Sequence, residues 1–212
     1  MPEPGGTAKF VGEILPGIYR FTIHDDRIDS QSDSYAVIEK GKAVLIDPLP
    51  MAKKDLNKLG PVEAICLTGS CHERSAWRYR RELNVLVYAP QGGVDFEEPP
   101  DRWYKAGDRL PGNLRAVHTP GPTEAHYSFF LERNGGAVFC ADLLTNPGGE
   151  GLAFVSGEYQ DEPVRTRESV RRLLTLNFGM LCPDHGDPVA VNCKAAITQA
   201  LKKDADRGKK KS

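Results

Sequence analysis

Short apolar runs separated by polar turns recur along this chain, the pattern of strands that bury one or both faces. Segments 17–23, 35–39, 43–46, 62–67, 85–88, 114–118, 127–131, 137–140 and 180–182 read as strands. Lys40-Gly41-Lys42 turns the second of these back on the third, and Asn134-Gly135-Gly136 makes a tight turn before 137–140. Helical spacing is seen at 53–59, stopped by Gly60, at 74–83, at 163–176 and at 194–201. Pro163 suits a first helical turn, and Val170, Leu173, Leu174 and Leu176 form the face that helix would bury. Residues 91–105, polar and rich in Pro and Gly, read as a loop, and 146–151 (NPGGEG) as a flexible loop. Strands open each half of the chain and helices follow them, an order that suits two sheets sandwiched between helical layers.

Composition narrows the class. At 212 residues, 40% hydrophobic and 27% charged, the chain suits one domain, expected over 1–201, with a charged tail at 202–212 that reads as disordered. A net charge of −1 gives no reason to expect nucleic acid or an anionic membrane as partner. No apolar run approaches the ~20 residues that span a bilayer. The opening MPEPGGTAKF lacks the basic and apolar regions of a signal peptide, so a cytoplasmic location is expected. The five cysteines are odd in number and form no CxxC pair, which argues against a disulfide framework. Cys66, Cys140 and Cys182 lie in apolar strands and read as buried small hydrophobes.

The richest chemistry lies in AICLTGSCHER, residues 64–74. An apolar strand ends at Thr68, a polar turn follows, and a helical pattern begins, which is where α/β proteins place their sites. This segment resembles the metallo-β-lactamase superfamily's strand, Thr-His-x-His-x-Asp-His motif and helix. Four further landmarks follow the same order. Ser34-Tyr35 with AVLIDP resembles the opening hairpin, with Asp47 at its end. HTPGPTEAH (118–126) resembles the Thr-Pro-Gly-His-Thr-x-Gly-His segment, VFCADLL carries Asp142 like the metal-bridging Asp, and CPDHGDP carries His185 like the strand-end His. The resemblance covers about residues 17–188 and implies a four-layer αββα sandwich of two mixed β-sheets flanked by helices.

The departures fall on the metal ligands. Where the superfamily's first metal takes three His, this chain has Gly69, Cys71 and Pro122. Where the second takes Asp, His and His, it has Glu73, Arg74 and His185, while the bridging Asp is kept as Asp142. Glycine and proline offer no ligating side chain and arginine stays protonated, so the resemblance implies a fold whose usual dinuclear site does not form. Arg74 is then expected to replace the second metal's charge by pairing with Asp142, Glu73 or Asp47. Asp47, His72, Arg74 and His126 are expected along the cleft, with His72 at a spacer position of the motif.

The reading is an altered homologue that binds a small-molecule ligand or substrate without a cofactor. One alternative is a single-metal hydrolase of an ester, thioester or lactone, holding zinc, iron or manganese on Cys71, Glu73, Asp142 and His185, with His72 as a further candidate ligand. Another is thiol chemistry at Cys71, with His185 or His126 as base. Catalytic candidates are therefore His185, Asp142 and Cys71. His24 reads as a surface residue and His118 as a core histidine. The paired glycines of the chain lack a strand-to-helix context and read as turns. A homo-oligomer is left open, with 91–105 as a partner surface or pocket lid.

Overall fold

The computed structural model describes residues 3–149 and 151–209. Its first sheet has seven strands in sequence order: β1 (Lys9–Leu15), β2 (Ile18–Asp25), β3 (Ser30–Glu39), β4 (Lys42–Ile46), β5 (Val62–Cys66), β6 (Leu86–Pro90) and β7 (Arg102–Tyr104). Pairing is antiparallel from β1 to β4 and parallel from β4 to β7. The second sheet has five strands, β8 (Arg109–Leu110), β9 (Leu114–His118), β10 (Tyr127–Leu131), β11 (Ala137–Ala141) and β12 (Met180–Pro183), with only β12 parallel to its neighbour.

Alternation along the strands builds the layers. Ile18, Tyr35, Val44 and Ile46 of the first sheet meet Leu114, Phe129, Leu131 and Phe139 of the second, forming the inter-sheet core. The opposite faces are covered by helices. Leu45, Ile65 and Val87 pack under α1 (Lys53–Leu56) and α2 (Ala76–Leu83), and Val138, Cys140 and Leu181 under α3 (Pro163–Leu173) and α4 (Cys193–Lys209). Each large apolar side chain buried this way contributes about 1.5–3 kcal/mol before entropy is counted. The result is the expected sandwich of two mixed sheets between helices. No helix among the described residues is long and apolar enough to cross a membrane.

Several elements differ from the sequence reading. Strand β1, whose residues alternate between exposed and half-buried, carries no apolar run and was not legible. The expected loop 91–105 contains β7, an edge strand held by pairing with β6. Phe96 in the same segment packs edge-on against Trp77 and Trp103, so the excursion covers α2. Helix α3 ends at Leu173, short of Leu176. Helix α4 runs past Leu201 to Lys209, where a disordered tail was expected; Arg167 holds Asp204 of that helix at 2.7 Å. The last three tail residues, 210–212, lie outside the described residues.

The parallel strands β4, β5, β11 and β12 send their C-terminal ends to one edge of the sandwich. Polar bonds fix that edge, those of Tyr35 and Asp33 between the sheets and that of Tyr104 within the first sheet. Tyr35 Oη donates to Pro183 O at 2.6 Å, Tyr104 Oη to Leu67 O at 2.6 Å, and Asp33 N to Asp184 O at 2.7 Å. Tyr35 is 1% exposed, so its hydroxyl has no water to turn to. Tyr35→Phe leaves the Pro183 carbonyl without its donor and is expected to lower unfolding stability by about 1–2 kcal/mol in urea titrations. An unchanged midpoint and slope would show that this bond does not hold the edge.

Candidate functional site

Chain reversals in the segments that end or follow the strands point the site residues inward. Asp47, Arg74 and Ala141 adopt φ of 47°, 42° and 46°, a left-handed conformation that costs non-glycine residues about 1–2 kcal/mol. Arg74 therefore does not start the helix, as its sequence position suggested. After a single 3₁₀ turn at Ser70–His72 the chain kinks at Arg74, and α2 begins at Ala76. The kink throws the Arg74 guanidinium inward, where it is 6% exposed.

His72 occupies the middle of the site. Its Nδ1 lies 2.7 Å from Thr68 Oγ1, and the Thr68 hydroxyl donates to Asp47 Oδ2 at 2.6 Å. With the hydroxyl hydrogen committed to Asp47, Oγ1 accepts from Nδ1–H. His72 Nε2 sits 3.1 Å from Asp142 Oδ2 and 3.7 Å from Asp184 Oδ2, contacts that attract only if Nε2 also carries a proton. Burial opposes charge on this ring, but Cys71 and the Asp142, Asp184 and Asp47 carboxylates outweigh it and hold its pKa well above the usual value.

Asp142 is shared. Its other oxygen lies 3.1 Å from His185 Nε2, while His185 Nδ1 donates to Gln31 O at 2.7 Å. Burial works against the Asp142 carboxylate, yet the two imidazoles hold its pKa well below the ordinary range. Arg74 donates through Nη1 to Asp33 O at 2.7 Å and Asp47 O at 3.1 Å, and its Nη2 pairs with Asp184 Oδ2 at 3.2 Å. Asp47, fully buried, is pushed up to about 7 by desolvation and by Asp184, against the pull of His72, Arg74 and the Thr68 bond.

Cys71, His72, Arg74, Asp142 and His185 all line one cavity of about 630 Å³. Asp47 lies beneath them. Glu73 is not part of the group: its carboxylate accepts from Trp77 Nε1 and from Glu97 N at 2.8 Å. Successive residues of a 3₁₀ turn point about 120° apart, so with His72 inward Glu73 faces the 91–105 excursion instead. His126 does not line the cavity either; it is fully buried, with Nδ1 2.9 Å from Thr119 O. His118 is half-buried at a strand end rather than in the core, and His24 is exposed, as read from sequence. Arg74 lines the cavity, and its carboxylate partner is Asp184, which sequence reasoning passed over. The signal was adjacency to His185 within CPDHGDP. Among the described residues, two donor groups that share His72 have atoms within 4.8 Å of one another, Cys71/His72/Asp142 and Asp47/His72/Asp184.

The family model described as the metallo-β-lactamase superfamily matches residues 13–182. The chain belongs to the metallo-β-lactamase superfamily. No curated protein sequence matches it. Among solved structures, DIM-1 metallo-β-lactamase exposed to ceftazidime is similar at 14% identity, covering 93% of this chain and 98% of that one, with a TM-score of 0.74. A metallo-β-lactamase from Erythrobacter litoralis is similar at 15% identity over 93% and 92% of the two chains, with a TM-score of 0.71. TTHA1623 in a di-iron-bound form shares 24% identity over 78% and 92%, with a TM-score of 0.63. At these identities the likeness shows the metallo-β-lactamase fold alone.

Buried His126 gives the protein a testable pH response. Burial drops its pKa from 6.5 to about 4. Between those values the unfolded chain takes up a proton that the folded chain refuses, so stability falls as pH drops through that window. The full loss is about 3 kcal/mol at 1.36 kcal/mol per pKa unit. Denaturant titrations of wild type and His126→Gln at pH 7 and pH 4.5 are expected to show a smaller acid loss in the variant. Equal losses would mean that His126 does not titrate as its burial requires.

Proposed function

We propose that this chain binds a small organic molecule in its metallo-β-lactamase-fold cleft, with Arg74 standing in for the charge of one of the superfamily's metal ions, and that dinuclear metal hydrolysis is not its chemistry. The observation that supports this most directly is the Arg74 guanidinium, buried in the cleft and paired with Asp184 at 3.2 Å. Two metals do not fit the donor set. Gly69 and Pro122 have no donor atoms at superfamily ligand positions. In the Asp47/His72/Asp184 group, Asp47 already accepts from Thr68 N at 2.8 Å and from its hydroxyl, and Asp184 is taken by Arg74. A divalent ion there would face an immovable positive charge.

The cavity suits an organic ligand with an apolar body and a polar head. Ile28, Phe154, Val155 and Tyr159 form its walls, and Cys71, His72, Asp142 and His185 its polar floor. A second reading, a single-metal hydrolase of an ester, thioester or lactone, draws support from the Cys71/His72/Asp142 group, with Glu73 no longer among its ligands.

The test loads purified protein with excess zinc, removes free metal by gel filtration and counts bound zinc. At most about one ion per chain is expected, because the two donor groups share His72 and Arg74 already holds Asp184. No turnover of a chromogenic cephalosporin is expected. Two tightly held ions per chain, with turnover, would contradict the proposal.

A further inference from the structure

We infer that Cys71 is a metal-independent nucleophile that takes an acyl group from an activated ester or thioester with an apolar acyl chain. This rests on the preceding reading, in which the cleft receives an organic molecule with an apolar body, and adds a reaction at its floor.

Cys71 is set apart from the other thiols of the chain. It is half-buried and lines the cavity, whereas Cys66, Cys140, Cys182 and Cys193 are buried. Burial raises the pKa of all four and so withholds the thiolate, the form that attacks. Gly69 keeps the approach to Cys71 open. A Cβ at that position would lie 3.6 Å from Cys71 Sγ, so any longer side chain there would crowd the sulfur. Gly69 has a φ of −171°, extended backbone that any residue adopts. Its missing side chain therefore answers to the space beside the thiol, not to the turn.

The groups around the sulfur have the order of a nucleophile, a proton carrier and a group that orients the carrier. Cys71 Sγ, a ring nitrogen of His72 and a carboxylate oxygen of Asp142 lie within 4.8 Å of one another. Catalytic pairs are often that loose until a substrate tightens them. His72 Nδ1 is held by Thr68 Oγ1 at 2.7 Å, and the Thr68 hydroxyl by Asp47 at 2.6 Å, which leaves Nε2 to serve the sulfur. Asp142 steadies that edge of the ring at 3.1 Å and is itself held by His185 at 3.1 Å.

At rest the Cys71 proton is carried on His72 Nε2, the protonated form that its contacts with Asp142 and Asp184 require. The thiolate attacks the carbonyl carbon and a C–S bond forms. The bond to the leaving alkoxide or thiolate breaks, and that group takes the proton from Nε2. Water then adds to the acyl-cysteine and gives a proton to Nε2. The C–S bond breaks, releasing the carboxylic acid and restoring the starting pair. Ile28, Phe154 and Val155 supply the apolar wall for the acyl chain.

The experiment mixes full-length protein with p-nitrophenyl hexanoate, with and without a metal chelator, and quenches in acid. A burst of p-nitrophenolate of about one equivalent per chain is expected in both, with one hexanoyl group mapped to Cys71 by peptide mass spectrometry. Cys71→Ala, with unchanged far-ultraviolet circular dichroism, is expected to lose burst and adduct. His72→Gln is expected to slow acylation about a hundredfold, with added imidazole restoring part of the rate. Gly69→Leu is expected to slow it about tenfold by displacing the ester from the sulfur. No hexanoyl group on Cys71, a hexanoyl group on another residue, or a burst seen only without chelator would overturn the inference. Failure of the two readings is separable. A missing adduct sinks the nucleophile and leaves the Arg74 proposal standing. Two tightly held zinc ions with cephalosporin turnover sink that proposal, and a Cys71 adduct formed in chelator still stands.

Discussion

A single buried guanidinium holds this cleft together. Arg74 bonds the carbonyls of Asp33 and Asp47 and pairs with the Asp184 carboxylate, joining β3, the end of β4 and the end of β12. The gross attraction at 3.2 Å is of order 5 kcal/mol at an effective dielectric near 20, much of it offset by desolvation. Its importance lies less in net strength than in what its loss would leave. Asp184 and Asp47 are fully buried, and without Arg74 they would share a dry pocket with only His72 for compensation. Removing one partner of such a pair typically costs 3–5 kcal/mol.

The rest of the site follows from that constraint. Arg74 compensates Asp184, and it lines the same cavity as Cys71, His72 and Asp142. The left-handed backbone at Asp47, Arg74 and Ala141 is the local strain that makes this arrangement. The reversals at Asp47 and Ala141 sit at or next to a strand end, and that at Arg74 lies between the 3₁₀ turn Ser70–His72 and α2.

The apolar runs made most of the fold legible. Strand β10 is buried at every position and reads as a continuous run, whereas β1, β7 and β8 are short or edge strands whose ordering comes from pairing rather than from their own pattern. The order of landmarks carried the architecture. At the site, the entry of Arg74 into the cleft was legible, but its partner was not, because Asp184 is brought to it only when β12 lies against β11 and Asp33 bonds across from β3. The central place of His72 and the outward turn of Glu73 depend on one 3₁₀ turn and one left-handed residue, which no periodicity in LTGSCHER announces.

The most direct measurement of the central claim is a double-mutant cycle between Arg74 and Asp184, with Arg74→Met and Asp184→Asn chosen to keep volume near constant. Urea unfolding of the four proteins gives the coupling energy. If Arg74 and Asp184 are the compensating pair of this cleft, each single change is strongly destabilising, the double change is less so than their sum, and the coupling is about 2 kcal/mol or more. Effects that add within about 0.5 kcal/mol would contradict the account, because they would show that the two charges do not depend on each other.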